Sequence, residues 1–321
     1  MSEFVFYSRG ESGHRPEYID FCEEVLPGRR KRLVVAFFSK KPLLFLMVEE
    51  GVFQFFFVSM MRSLVGLKTS GLVFRAGEAI RSNTLRHRIK CGLFRALKKK
   101  SKVRLLSIVP FFVDSKIEAI CDDWVYDFQF LDKDFLMRRG ERKDIDRFVA
   151  EIRKQAQGRK VVCAIGKQDK GKGFEKFCEL YATSQSVRDR YLFVSGGRVS
   201  NNCLSFSINF EDSGGRLYNR FINDSELIAL YEVSDVIWAC YSPEYDQSSG
   251  VLGRAYQFGK AVLVREGAVS DRVATRLRMN VRRAEWHEVS SFEESLASLD
   301  VKASLSERKK LKLEDFVQKI T

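Results

Sequence analysis

The sequence predicts an α/β chain of two domains, each a parallel sheet with helices on both faces. Three observations predict it. Apolar runs of four to six residues recur along the chain and alternate with amphipathic stretches. The runs fall in two series separated by a polar, charge-dense segment from Leu131 to Arg159. The length, 321 residues, is about two domains' worth.

The first series opens with the strand Phe4–Ser8, a loop holding Gly10 and Gly13, and a helix from Arg15 to Leu26. Leu33–Phe38, rich in Val and Phe, reads as a strand, and Phe53–Leu64 as a buried helix. Leu72–Arg75, Leu105–Val109 and Tyr126–Phe130 read as short strands. Between them, Thr84–Lys100 has Leu85, Ile89, Leu93 and Leu97 at helical spacing, with basic residues on the other faces. The second series has strands at Val161–Ile165, Tyr191–Ser195, Leu204–Ile208, Val236–Cys240 and Ala261–Arg265. Its helices lie near Phe174–Tyr181, Ser225–Val233, Ser249–Phe258 and Val269–Leu277. The expected domains are 1–140 and 141–304, with a last helix in 305–321 packing back on the first. Ligands of such sheets bind at the carboxyl ends of strands.

Composition narrows the function. An apolar fraction of 45% and a charged fraction of 30% exclude wholesale disorder. The seven cysteines form no C-x-x-C pair and there are three histidines, which argues against structural zinc and for reduced thiols, as in a cytosolic protein. The most apolar stretch, Leu43–Met61, is interrupted by Glu49 and Glu50, so no run approaches the ~20 residues of a membrane span. The amino terminus lacks a signal pattern. The net charge is +13, which points to an anionic partner. Residues 61–110 carry 13 basic residues and one acidic residue, whereas 151–321 hold 27 and 23. The excess is therefore a block in the first half.

Two constellations carry chemistry. The first is Gly166-Lys-Gln-Asp-Lys-Gly-Lys-Gly173, directly after the strand VVCAI. Its glycines allow a tight turn, and Lys167 and Lys172 suit a diphosphate at a helix start. A solvated loop is the plain alternative. It lacks the G-K-[ST] ending of a Walker A loop. The second runs from Ser242 through Asp246, Gln247, Ser248, Ser249, Gly250 and Arg254 to Gly259-Lys260, after the strand VIWAC. Ser248, Ser249 and Gly250 stand where a helix begins, so its free amides suit a phosphate; an ordinary N-cap is the alternative.

These motifs, in this order, resemble the nucleotide-binding half of GT-B fold glycosyltransferases, especially the retaining family four. The G-K-x-x-x-x-K-G loop is similar to that family's Gly-Arg…Lys-Gly, with Lys167 in the Arg place and Lys172 in the Lys place. Tyr191–Gly197 resembles its strand ending in a glycine pair, here Gly196-Gly197. Ser225–Tyr241 resembles its next helix and strand. Ala255, Gly259, Lys260 and Val262 fall in its "EAMAxGxPV" frame. The resemblance covers roughly residues 158–275. It implies two Rossmann-like domains facing across a cleft. The family has two glutamates eight apart, one for the donor sugar and one for ribose. Here those places hold Asp246, which keeps a carboxylate, and Arg254, which reverses the charge and suits the diphosphate instead. In the first domain, Gly13-His14-Arg15 is similar to the family's glycine-rich loop, with His14 orienting an acceptor hydroxyl or touching the donor phosphate; Arg75 follows a strand toward the acceptor side.

The resemblance implies transfer of a sugar from a nucleoside diphosphate sugar to a hydroxyl of a saccharide or lipid-linked saccharide. It implies retention of configuration, no metal and no cofactor, in surface polysaccharide or glycolipid assembly. The basic block 61–110 is then expected to hold the enzyme on an anionic membrane, at the cytoplasmic face. Three other readings stay open: a catalytically degenerate GT-B-like binder, a basic nucleic-acid binder, and a sugar-nucleotide epimerase. The aromatic residues lie mostly in apolar runs rather than alternating with basic ones, which makes nucleic acid the weakest partner. The D-x-D strings at Asp132–Asp134 and Asp144–Asp146 lie in the charge-dense junction and are not read as metal ligands.

Overall fold

A computed structural model describes residues 3–10, 15–81, 84–298 and 311–320. The chain divides into two compact units, Met1–Phe128 with Leu311–Thr321, and Gln129–Lys310.

Unit 1 runs β1 (Phe4–Tyr7), α1 (Arg15–Val25), β2 (Gly28–Arg30), α2 (Leu33–Phe38), β3 (Leu43–Phe45), α3 (Val52–Leu64) and β4 (Thr69–Val73). It continues through α4 (Ala76–Arg81), α5 (Leu85–Lys98), β5 (Val103–Ser107) and β6 (Asp123–Trp124). All six strands are parallel, in the order β2-β1-β3-β4-β5-β6. Unit 2 begins with α6 (Lys133–Met137), α7 (Arg142–Ala156), β7 (Lys160–Ile165), α8 (Phe174–Thr183), α9 (Gln185–Arg190) and β8 (Tyr191–Gly196). There follow α10 (Leu204–Asp212), β9 (Arg216–Tyr218), α11 (Asp224–Val233), β10 (Val236–Ala239), α12 (Gly250–Gln257), β11 (Ala261–Arg265), α13 (Val269–Arg276), β12 (Val281–Ala284) and α14 (Val289–Ala297). Its sheet is also all parallel, in the order β12-β11-β10-β7-β8-β9. The last helix, α15 (Leu313–Ile320), belongs to unit 1, where Phe316 packs its ring on Phe21 at 5.5 Å.

The order in unit 2 is that of dinucleotide-binding sheets, with β7 at the point where the strand order reverses; unit 1 has the flavodoxin-like order with β1 there. Central strands are buried on both faces, which is why VVCAI, VIWA and AVLV read as unbroken apolar runs. The unit 2 core is strongly aromatic. Phe177 lies within 5.4 Å of Phe193, Phe210 and Trp238, and Trp238 stacks on Phe292.

Several expected elements differ. Leu33–Phe38 is a helix, not a strand. Its terminal carbonyls would be orphaned, but the Arg62 guanidinium donates to Ala36, Phe37 and Ser39. Leu204–Ile208 is the start of α10, whose Ser207 and Phe210, three apart, face the core. Tyr126–Phe130 is not a strand; β6 lies earlier, and Phe128–Phe130 is a short turn. The charge-dense junction is largely α7, which buries Ile145, Phe148, Ile152 and Ala156 on one face. The unit boundary falls at Phe128, before the expected 140, because residues 129–140 pack on unit 2. Gly253 lies so close to the Gln129 backbone that a Cβ would be 2.9 Å from its carbonyl carbon, and one on Gly140 would be 2.5 Å from Ile228 Cδ1. In α5 the buried face is Cys91, Phe94 and Leu97, while Leu85 and Ile89 are exposed. Nor is Phe53–Leu64 buried throughout: α3 hides only one side. All seven cysteines are buried and unbridged.

Candidate functional site

At the carboxyl ends of β7, β8 and β10, three loops are interlocked by backbone. Gly166 has φ +97° and donates its amide to the Gly196 carbonyl at 2.9 Å. Gly197 has φ +139° and donates to Tyr218; a Cβ there would overlap the Gly166 carbonyl. Gln168, almost fully buried, bridges the same loops. Its amide donates to Arg198 O, its side chain to Gly166 O, and its carbonyl accepts from Ser200. Asp169 then caps a tight turn by accepting from the Lys172 amide at 3.0 Å. Gly173 ends the turn at φ +68°, pressed on the Cys240 carbonyl and Trp286, so no Cβ fits. The Ser242 amide donates to the Gly171 carbonyl at 3.0 Å, which ties the β7 loop to the β10 loop.

This packing places Lys172. Its Nζ lies 4.2 Å from the centroid of the Tyr241 ring and 5.3 Å from that of Tyr245. Burial works against its charge, but the tyrosine oxygens and Asp169 outweigh burial and hold its pKa above the usual lysine value. Lys172 is therefore a fixed ammonium at neutral pH, at the switch point of the sheet. Lys167 has a different partner. It is exposed and pairs with Asp169 at 3.3 Å.

The second loop ends in α12. Ser249 is a true N-cap: its hydroxyl accepts from the Leu252 amide and also bonds the Tyr241 hydroxyl. The Gln129 carboxamide occupies the space beside Gly250 where a Cβ would stand. Gln247 and Ser248 are half-buried on the loop before the helix.

Two of the expected site residues have internal partners. Arg254 turns its guanidinium inward. It is buried, with its guanidinium donating to Asp132 O at 3.2 Å and Gln257 Oε1 at 2.9 Å. A helix position eight residues past Asp246 turns inward here, and the long side chain caps the α6 region instead. Asp246 accepts from the Val269 amide at 2.7 Å and pairs with Arg265 at 3.3 Å. Its carboxylate holds α13 in place rather than standing free for a sugar. Gly13 and His14 lie outside the described residues, and Arg15 begins α1. Arg75 follows β4 with an exposed side chain 3.9 Å from Glu78, and its amide donates to Glu49 Oε1 at 2.5 Å.

Sequence reasoning missed Tyr241, Tyr245, Gln168 and Trp286 in this site. The tyrosines flank the β10 loop, where they read as strand end and loop. It also missed a cavity of about 350 Å³ in unit 1, near the carboxyl ends of β1 and β3, the switch point of that sheet. Arg9, Glu49, Arg86 and Lys90 bring charge to it, and Phe53 and Ile89 form an apolar wall. Arg9 Nη1 donates to the Glu50 carbonyl at 2.5 Å. Burial pushes the Glu49 carboxyl up from its ordinary range, and its Oε2 has no hydrogen-bond partner.

Solved structures share this arrangement of sheets. A UDP-forming α,α-trehalose-phosphate synthase from Burkholderia vietnamiensis is 11% identical with a TM-score of 0.56, over 96% of this chain and 76% of that one. WaaG, a glycosyltransferase involved in lipopolysaccharide biosynthesis, is 12% identical with a TM-score of 0.56, over 93% and 91%. The fold is that of the GT-B glycosyltransferases. A third GT-B structure, trehalose-6-phosphate from E. coli bound with UDP-2-fluoro glucose, is 10% identical with a TM-score of 0.51, over 99% and 94%. No family model matches the chain, and no curated protein matches it.

Proposed function

We propose that this GT-B chain transfers a sugar from a nucleoside diphosphate sugar to an acceptor hydroxyl. The observation that carries the reading is Lys172, a charged ammonium fixed on two tyrosine rings at the switch point of a sheet with dinucleotide-binding order. Bond breakage at the anomeric carbon leaves negative charge on the diphosphate. A preorganised cation stabilises that charge without reorganisation cost. Lys167, exposed on the same loop, adds a second cation once the diphosphate competes with Asp169. Gly166, Gly173, Gly196 and Gly197 keep side chains out of the way, and the Gly250 end of α12 adds a positive dipole.

By resemblance to family four, the anomeric configuration is retained and no metal takes part. The acceptor is a saccharide or lipid-linked saccharide in surface polysaccharide or glycolipid assembly. The protein is expected to act at the cytoplasmic face of a membrane that its basic unit 1 attracts. Among the described residues no helix is long and apolar enough to cross one.

A panel of nucleotide sugars, uridine diphosphate donors first, tests the reading by release of the nucleoside diphosphate. Lys172→Ala should lower kcat by about 10²-fold or more; a wild-type kcat would refute its role. Chelation should leave turnover unchanged. The degenerate binder is the second reading. It is favoured by Asp246 and Arg254, whose side chains hold internal bonds in place of the family's donor contacts. Donor binding in a thermal shift, with no release from any sugar in the panel, would select it.

A further inference from the structure

The helices covering one face of the unit 1 sheet have an outer surface that the fold leaves apolar. The α2, α3 and α5 crossovers all step the same way along the sheet, so right-handed connections put all three on one face. The Phe37 ring stacks on Phe57 with 6.3 Å between centroids, joining α2 to α3; Phe53 of α3 and Ile89 of α5 line one cavity. In α3, Phe55, Val58, Ser59 and Arg62 face inward. Phe53, Phe57, Met61 and Leu64 therefore form a stripe on the other side, with Phe57 60% and Leu64 73% exposed. On α2, Val34, Val35 and Phe38 point out, Phe38 being 75% exposed. A helix facing water carries polar residues on that side, and an apolar patch of this kind marks a docking surface.

The charge around the patch says what covers it. Between Val25 and Val48 the sequence has six basic residues and no acidic one: four immediately before α2 and two after it. Along the neighbouring α5, Arg86, Arg88 and Lys90 occur with no acid from Leu85 to Arg104. Among the described residues the acids beside these segments are Glu49 and Glu50 at the cavity edge, Glu3, which pairs with Lys41, Glu23, which accepts from the Arg30 amide, and Glu78, 3.6 Å from His87 at the start of α5; basic residues still outnumber them. Phenylalanines at the centre with cations at the rim match a leaflet, where acyl chains accept the rings and headgroup phosphates accept the cations.

We propose that the α2–α3 face docks on an anionic phospholipid bilayer and inserts Phe38 and Phe57 below the headgroups. The inference rests on the membrane partner in the proposed function and relocates it: the basic block supplies the rim, while the inserted part lies on α2 and α3. Arg62, counted in that block, is internal and takes no part.

The test uses the full chain and vesicles of phosphatidylcholine with and without phosphatidylglycerol. Wild type should co-sediment with the anionic vesicles. Phe38→Ser with Phe57→Ser should weaken partition at least about tenfold while keeping the melting temperature. In Phe57→Trp, the added emission should shift to the blue and be quenched by brominated lipid. Equal sedimentation of wild type and the double variant overturns the proposal, as does added emission in Phe57→Trp that brominated lipid leaves unquenched. A wild-type dimer that the double variant turns to monomer, with no vesicle binding, overturns it in favour of a second copy of the chain. Vesicle insertion without nucleotide release would uphold the docking face and remove the transferase reading instead.

Discussion

The two units hold their loops together by different means. In unit 2 the loops of the site cross chiefly by backbone bonds, Gly166 to Gly196, Gly197 to Tyr218 and Ser242 to Gly171, with the Gln168 side chain adding one to the Gly166 carbonyl. At two of these crossings a Cβ would overlap the facing carbonyl, Gly166 against Gly197 and Cys240 against Gly173, so glycines with positive φ stand there. In unit 1 side chains make the widest ties, beside backbone bonds such as Leu46 to Tyr7. Arg62, 1% exposed, donates to the carbonyls of Ala36, Phe37, Ser39, Lys41 and Lys68 and to the Thr69 hydroxyl. Arg9 reaches the Glu50 carbonyl, and Glu49 accepts from the Arg75 amide. Backbone ties leave little room and hold the loops rigidly around Lys172. Of the side-chain ties, those of Arg9 and Glu49 border the unit 1 cavity, whose lining changes with a single substitution.

The largest effect should come from cutting the side-chain tie. Arg62→Met removes a buried cation that serves six acceptors and leaves those acceptors unpaired. We expect a loss of about 3–5 kcal/mol. That is a fall of about 10 °C in the unit 1 melting transition. Arg142 on α7 is the matched surface case, exposed and paired with Asp146 and Glu232. Arg142→Ala should barely move the melt. Equal melts for the two variants would show that the Arg62 tie is not structural.

Next is the backbone tie. Gly173→Ala adds both left-handed strain and overlap with the Cys240 carbonyl, whereas Gly158→Ala, at φ +85° with open space, adds strain alone. Strain costs about 1–2 kcal/mol, so both variants should melt lower. Only Gly173→Ala should also lose stabilisation by a nucleoside diphosphate, because the β7 and β10 loops must separate. Retained ligand stabilisation in Gly173→Ala would break the distinction drawn between the units.

The same contrast explains what the sequence could convey. Backbone ties leave a trace, because a glycine pair after an apolar strand is a visible pattern; Gly166, Gly173 and Gly196-Gly197 were legible for that reason. The central strands were legible because burial on both faces makes them continuously apolar. Side-chain ties leave none. Nothing in the spacing of Arg62 connects it to LVVAFF, roughly two dozen residues earlier, so that segment's β-branched composition read as strand although α2 forms there. Arg254 is hidden for a related reason: the family frame reads it as a charge facing the donor, and its partner Asp132 becomes a neighbour only in the fold, although Gln257 stands three residues along the same helix. The stripe on α3 read as core because composition reports that residues are apolar, not which side the sheet covers. Charged VRRA gave no strand signal, yet it is β12, an edge strand beside β11.

The smallest expected effect probes the unit 1 cavity. Burial raises the Glu49 pKa; the Arg75 and Glu49 amides and the Lys90 and Arg75 charges offset this only in part. A carboxyl with a raised folded pKa keeps its proton at pH values where the unfolded chain has already lost it. The folded state then binds more protons, so stability falls as pH rises from the unfolded value through the folded one, and is level above it. Glutamine titrates nowhere in this range and keeps an oxygen to accept from the Arg75 amide. Glu49→Gln should therefore melt above wild type at about pH 8, by less than Gly173→Ala lowers it. The advantage should shrink toward about pH 4, where Glu49 is protonated in both states. An advantage that grows on acidification would mean that a cation, and not burial, governs Glu49, and the unit 1 cavity would then be built around an ion pair.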